Sequence, residues 1–228
     1  MLRARRLVLR QWRESDLAPC AAMTQDPEVM RFFGVMRDRP QSDAWVERVK
    51  AHFAREGFGI WAIEAPGIAD FIGFVGLSRV PGWMPVAAGG IEAVWTLDRP
   101  FWRQGYATEA AEAAMADGFG RLGLREIVAF TAAVNLPSRG VMEGLGMLRD
   151  PSADFMHPRV PPDSPLCPHV LYRSAEPAGA VSALPQHARK RAAEAGGDGA
   201  GQDGAQAEGH HFGPALRHHG AKPSDQDA

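Results

Sequence analysis

Apolar and polar residues alternate from Arg6 to Gln11, the period-two signature of a half-buried strand, and the period then changes. Ser15 or Asp16 caps a short helix running through Met23. Asp26-Pro27-Glu28 is a second helix start, leading into Val29-Met30-Arg31-Phe32-Phe33. A third helix opens at Ser42, with Trp45, Val46, Val49 and Phe53 at helical spacing and Gly57 as its stop. Gly59 to Glu64 and Phe71 to Leu77 read as strands joined by a Pro66-Gly67 turn. After the loop Pro81-Gly82-Trp83-Met84-Pro85 comes a strand from about Gly90 to Leu97, then a helix from Tyr106 to about Arg121. Arg125 to Val134 is strongly β-prone, Pro137 opens a short helix ending near Gly144 or Gly146, and His169 to Arg173 is a last strand. The Pro-rich stretch Asp150 to Pro168 reads as a long loop, of the kind that is usually functional. Strands both adjacent and separated by helices predict a mixed α/β (α+β) sandwich around one central sheet.

The pattern ends near residue 175. Residues 176–228 hold only Val181, Leu184, Phe212 and Leu216 as sizeable apolar side chains, too few to offset the entropy of ordering the segment. They are expected to form a disordered low-complexity tail behind one domain, residues 1–175. The pairs His210-His211 and His218-His219 lie in this tail without partners in a folded shell, so no metal is assigned.

Charge narrows the function classes. With 25 basic and 27 acidic residues the formal net charge is −2, so no global field recruits nucleic acid or an anionic membrane. No basic stripe or nucleic-acid motif occurs, and no apolar run approaches a membrane span. The basic start Met1–Arg6 is followed by a stretch that Arg10, Arg13 and Glu14 interrupt, so no signal-peptide core is read. Cys20 and Cys167 give no disulfide framework, and a cytoplasmic setting is expected.

The chemistry concentrates where the strand ending at Leu97 passes through Arg103-Gln104-Gly105 into the helix at Tyr106-Ala107-Thr108. A helix start carries unpaired backbone N–H groups and the positive end of the helix dipole, and Gly105 allows close approach to the backbone; an anion should bind here. Neither a nucleotide P-loop nor a dinucleotide fingerprint is present. Read blandly, Gly105 is a tight turn and Thr108 a helix cap.

The run Trp102-Arg103-Gln104-Gly105-Tyr106-Ala107 resembles the pyrophosphate loop [QR]-x-x-G-x-[GA] of the GNAT superfamily of acyl-CoA-dependent N-acetyltransferases. A Trp at its first position followed by G-Y-A-T-E-A is similar to the branch containing ribosomal-protein N-terminal acetyltransferases. The likeness extends from Leu7-Val8-Leu9-Arg10 through Glu92-Ala93-Val94-Trp95 to Asn135-Leu136-Pro137-Ser138 and Leu145-Gly146-Met147, about residues 5 to 174.

The resemblance implies a GNAT-like, mostly antiparallel sheet splayed at the cofactor site, with acetyl-CoA as co-substrate. Backbone N–H groups of residues 103–108 take the pyrophosphate, with the Arg103 cation at the rim, and the strand carrying Trp95, Thr96 and Leu97 lies beside the pantetheine arm. Glu92 resembles the general base, often acting through a water; a strand-end carboxylate or an ion-pair partner is the other reading. Asn135 looks like a cofactor-arm or active-site residue, though Asn is also a good helix cap, and both can hold. Met142 departs from the pattern, standing where many relatives place a Tyr that protonates the leaving thiolate. Tyr106 and Tyr172 are the chain's two tyrosines, and neither is an obvious substitute. Ser138 can supply the proton directly or through water, or the thiolate, with a conjugate-acid pKa near ~8.5, can leave unprotonated. His157, in a Pro-rich loop, is the other titratable candidate, against a surface or packing role. Of six Trp residues, Trp83 and Trp102 are expected to face ligands.

The expected reaction is acetyl transfer to a primary amine of a small molecule or a protein N-terminus, by a monomer or homodimer. The alternative is a catalytically weak acyl-CoA-binding regulatory module.

Overall fold

A computed structural model describes residues 1–175; the tail expected from residue 176 onward lies outside the described residues. Nine strands form one sheet: β1 (Leu2–Arg3), β2 (Val8–Arg10), β3 (Ile60–Ala65), β4 (Ala69–Arg79), β5 (Ile91–Leu97), β6 (Glu126–Ala132), β7 (Leu148–Arg149), β8 (Phe155–Met156) and β9 (Pro168–Ala175). Their order is β1-β2-β3-β4-β5-β6-β9-β7, with β8 paired to β9. All pairs are antiparallel except β5 with β6. The expected mixed α/β architecture, with a largely antiparallel open sheet between helices, is the one found.

Five helices cover the two faces: α1 (Leu17–Gln25), α2 (Pro27–Met30), α3 (Arg39–Glu56), α4 (Tyr106–Gly120) and α5 (Leu136–Gly144). Side chains alternate across a strand, so each strand feeds both layers. On one face, Trp12, Trp45 and Phe74 pack with Met23 and Val46 from α1 and α3. On the other, Leu9, Trp61 and Val75 meet the alanine-rich side of α4, at Ala110, Ala111 and Ala114. Small residues there let the helix lie close to the sheet. Gly73 of β4 has φ 142°, and a Cβ at this position would lie 2.2 Å from the Thr96 carbonyl oxygen. Only glycine allows β4 to approach the end of β5 so closely.

The third helix starts before Ser42. Asp38 is its cap, accepting from the Gln41 N–H at 2.8 Å while the Gln41 side chain accepts from the Asp38 N–H at 3.0 Å. This reciprocal box satisfies two orphan donors, and Pro40 in the first turn lacks one. Ser42 is fully buried inside the helix instead. The stretch 150–168 is not a plain loop either: it holds a 3-10 turn at Pro151–Ala153 and strand β8, and the His157 N–H donates to the Cys167 carbonyl at 2.8 Å. Cys20 and Cys167 are buried free thiols, and burial pushes the Cys20 thiol up to about 11.

Candidate active site

β5 and β6 share a single ladder pair, Glu92 with Val128, and part beyond it. Residues 93–97 of β5 thus pair with β4 on one side and have no ladder partner on the other among the described residues. The opening belongs to a cleft of about 1050 Å³ bounded by β5, β6, the α4 and α5 N-termini, the turn after α2 and the 157–169 segment.

The α4 N-terminus forms one corner of it. Gly105 is the N-cap at φ 77°, no side chain caps the helix, and Glu109 is the first residue whose N–H pairs back, to the Gly105 carbonyl at 3.0 Å. The N–H groups of Tyr106, Ala107 and Thr108 therefore lack acceptors within the helix, and all three residues line the cleft. Arg103 adopts φ 58°, an uncommon conformation for a residue with a Cβ. Positive φ at 103 and again at 105 turns the chain sharply into the α4 N-terminus, the positive end of a helix dipole, where an anion is favoured. Arg6 braces this corner. Its N–H and Nε donate to Glu109 at 2.5 and 2.7 Å, and its guanidinium lies 4.4 Å from the Tyr106 ring centroid.

Of the residues singled out from sequence, Glu92, Trp95, Thr96, Leu97, Arg103, Gly105, Tyr106, Ala107, Thr108, Asn135 and Ser138 all line the cleft. Gln104 does not: its side-chain amide donates to the Pro100 carbonyl at 2.8 Å, closing the turn from outside. Trp102 lines the cleft and donates its indole N–H to the Leu97 carbonyl at 2.7 Å. Trp83, expected to face a ligand, stands behind the wall instead, edge-on to His157 at 5.9 Å and beneath the Arg159 guanidinium at 4.0 Å.

Glu92 is 2 % exposed, at the point where the two strands part. Asn135 caps α5: its Oδ1 accepts from the Ser138 N–H at 3.2 Å, and its Nδ2 donates to Thr131 Oγ1 at 2.9 Å. The cap reading thus holds, and the cap sits in the cleft wall. Ser138 and Met142, four residues apart on one face of α5, both line the cleft, and Met142 is 1 % exposed. Tyr172 is buried on β9 outside the cleft, donating its hydroxyl to Glu143 at 2.9 Å. Tyr106 lines the cleft under Arg6.

Two histidines complete the wall. His157 is 2 % exposed, so the surface reading of it is corrected; its Nδ1 accepts from the Arg159 N–H at 3.2 Å, which in the neutral ring leaves the proton on Nε2. His169 was read from sequence only as the start of a strand. Its Nδ1 lies 3.1 Å from the Cys167 carbonyl, which requires the proton on Nδ1, and the two ring centroids are 4.8 Å apart. Two neighbouring imidazoles, whose Nδ1 atoms sit in different hydrogen bonds, therefore flank the cleft. Strand alternation held the only signal for His169, and that signal becomes readable once its register opposite Ala132 is known.

Comparison with known proteins accords with this geometry. The model of the acetyltransferase (GNAT) domain matches residues 6–148. The FsC-acetyl coenzyme A-N(2)-transacetylase of Aspergillus fumigatus is 31% identical over 133 residues, 55% of each chain, so the match spans about half that protein's length. Among solved structures, a GNAT-family acetyltransferase from Bacillus anthracis superposes with a TM-score of 0.63 at 22% identity, over 77% of this chain and 98% of that one. A ribosomal-protein-S5-alanine acetyltransferase from Vibrio fischeri superposes with a TM-score of 0.61 at 16% identity, over 77% and 96%; at that identity the likeness is one of fold. The matched residues span both the corner at α4 and the strands that part beside it, and on that match the chain belongs to the GNAT acetyltransferase family.

Proposed function

We propose that the protein transfers an acetyl group from acetyl-CoA to a primary amine by direct attack within a ternary complex. The observation that carries this is the parting of β5 and β6 just past Glu92, between the donor-lined corner at the α4 N-terminus and a buried carboxylate. A diphosphate fits the turn at residues 103–108, which supplies backbone donors and a helix dipole. From there the pantetheine arm runs along Trp95, Thr96 and Leu97, its amides pairing with the edge of β5 that β6 has left. A β5 N–H polarises the thioester carbonyl as negative charge develops on its oxygen.

The amine enters from the opposite face of the sheet. Its nitrogen attacks the carbonyl carbon, the C–N bond forms, and Glu92 takes the N–H proton directly or through a water. Collapse breaks the C–S bond. Ser138 is the hydroxyl on the α5 face that turns Met142 into the cleft, and it is assigned to relay a proton to the departing sulfur while taking one from solvent water, so that no alkoxide is left. A thiolate with conjugate-acid pKa near ~8.5 also leaves without that help, so methionine in place of a tyrosine does not forbid turnover.

Met142 favours a second reading, an acyl-CoA-binding module without turnover. One measurement separates the two: release of free thiol from acetyl-CoA, with mass spectrometry of the amine. Amine-dependent thiol release with a singly acetylated product is expected. Tight acetyl-CoA binding without transfer to any amine would overturn the enzymatic reading.

The phosphate corner has its own test. Gly105→Val forces a β-branched residue to a φ of 77°, a strain that the turn can relieve only by shifting the backbone ahead of α4. Such strain is worth ~1–3 kcal/mol, or roughly 5- to 150-fold in acetyl-CoA affinity by calorimetry. Unchanged affinity with a native circular dichroism spectrum would remove the corner from the cofactor site.

A further inference from the structure

One hydroxyl beside the proposed base has no role in the reaction as written so far. Ser78 stands directly opposite Glu92 in the β4–β5 ladder, so the two side chains leave the same face of the sheet, the one that α3 covers. Directly opposed residues bring their Cβ atoms to about 4.5–5.5 Å, which puts a serine oxygen within one side-chain rotation of a glutamate carboxyl. Ser78 is 2 % exposed, and its Oγ has no hydrogen-bond partner among the described residues. The void that it lines with Val49 and His52 of α3 and Ile60 of β3 has no room for a water. A buried hydroxyl without a partner is a cost to the fold, and alanine would occupy the position without it.

A base in this reaction must be satisfied in two states. Before the amine attacks it is a carboxylate, which only accepts hydrogen bonds; once it holds the amine's proton it is a carboxylic acid with an O–H to donate. A hydroxyl serves both states by turning about its C–O bond, whereas an arginine serves only the first.

Resting on the acetyl-transfer reading, we infer that Ser78 is a positioning residue for Glu92, its hydroxyl donating to the carboxylate before attack and accepting from the carboxyl proton after it. No proton passes to Ser78; the one that Glu92 takes from the amine returns to water as the product leaves. Other elements bring further ionisable groups to this face. His52 of α3 has its Nδ1 3.5 Å from Arg55 Nη2, Arg173 of β9 is paired with Asp150 at 2.8 Å and Glu126 at 2.9 Å, and His169 and His157 lie further along the cleft. All of them stay in place in the variants below, so a change at Glu92 reports on Ser78.

Three variants test this: Ser78→Ala, Glu92→Gln and the two combined. Ser78→Ala should unfold in urea no earlier than the parent, because the oxygen removed had no partner. It should lower kcat by ~2- to 13-fold while KM for the amine and acetyl-CoA affinity hold. In the Glu92→Gln background the same change should be silent, since a residue that acts through the base has nothing left to position. Loss by the same factor in both backgrounds, or in neither, would overturn the inference. A second readout needs no turnover. With glutamate carboxyl carbons isotopically labelled, the NMR resonance missing from Glu92→Gln reports Glu92, and its titration midpoint should rise by ~0.5–1 pH unit in Ser78→Ala as the carboxylate loses a donor. An unmoved midpoint overturns the pairing. A moved midpoint with no acetyl transfer by the parent sinks the reaction and leaves the pairing standing; transfer that Glu92→Gln leaves at full rate sinks the base, and the role of Ser78 with it.

Discussion

Arg10→Ala is expected to destabilise the fold by about 3–5 kcal/mol, as measured by urea unfolding, because it strands a buried carboxylate. The Arg10 guanidinium grips Asp16 with both Nη atoms, at 2.7 and 2.9 Å, and donates through Nε to Glu64 at 2.7 Å. Nη2 also reaches the Asp70 carbonyl at 2.5 Å. One side chain thereby ties β2 to the turn before α1, to β3 and to the start of β4. Asp16 is 1 % exposed, so losing its partner leaves a charge with little access to water. Arg10→Lys should recover only part of the loss, since an ammonium cannot reproduce the planar fork.

The pH dependence has a definite sign. Hydrogen bonding from Arg10 and the charge of Arg13 hold the Glu64 carboxyl below its ordinary value. A carboxyl with a depressed folded-state pKa adds stability that is present above its unfolded pKa of ~4.3 and is lost as pH falls through the folded value. The gap between parent and Arg10→Ala should therefore narrow in acid, as the Glu64 carboxyl facing Arg10 takes up a proton. A gap constant from pH 7 to pH 3 would show that the loss comes from the arginine's packing and not from its charge.

Arg10 also shows what kind of information the sequence held. Its place at the end of an alternating strand was legible; its partners, 6, 54 and 60 residues away, were not. The same division runs through the fold. β5 and α4 were legible because each carries a full period of its own pattern and Gly105 marks the join between them. Strands β1, β7 and β8, two residues each, are too short to display a period. The start of α3 was misplaced because Ser42 is a good cap by type, whereas the box of Asp38 and Gln41 spans a proline and precedes the apolar pattern.

The site divides likewise. Its phosphate corner depends on local backbone geometry, which glycine and a helix start announce. The opposite wall depends on the pairing of β6 with β9 and on the folding of segment 150–168 against β9, both non-local. His157 therefore read as a surface or packing residue beside its titratable reading and Trp83 as ligand-facing, whereas the structure buries His157 in the cleft wall and sets Trp83 behind it.

Glu92→Gln is expected to lower kcat by ~10²- to 10⁴-fold at neutral pH while leaving acetyl-CoA affinity nearly intact. The amide keeps the shape of a side chain that is 2 % exposed but cannot accept the proton that the amine must lose. The pH profile identifies the role. An alkylammonium with a pKa near ~10.4 is almost wholly protonated at pH 7, so attack there depends on the base. As pH rises the free amine becomes common in solution and the variant should gain on the parent, its rate climbing about tenfold per pH unit until the amine titrates. The deficit is then largest at low pH and smallest at high pH. A purely structural loss would lower the rate by a constant factor across the range, and a Glu92→Gln profile parallel to the parent's would remove Glu92 from proton transfer. A second split reads the same chemistry through binding: acetyl-CoA calorimetry on Glu92→Gln should match the parent, because the carboxylate lies on the face of the sheet opposite α4. Weakened cofactor binding together with the lost turnover would instead make Glu92 a brace for the parting of β5 and β6.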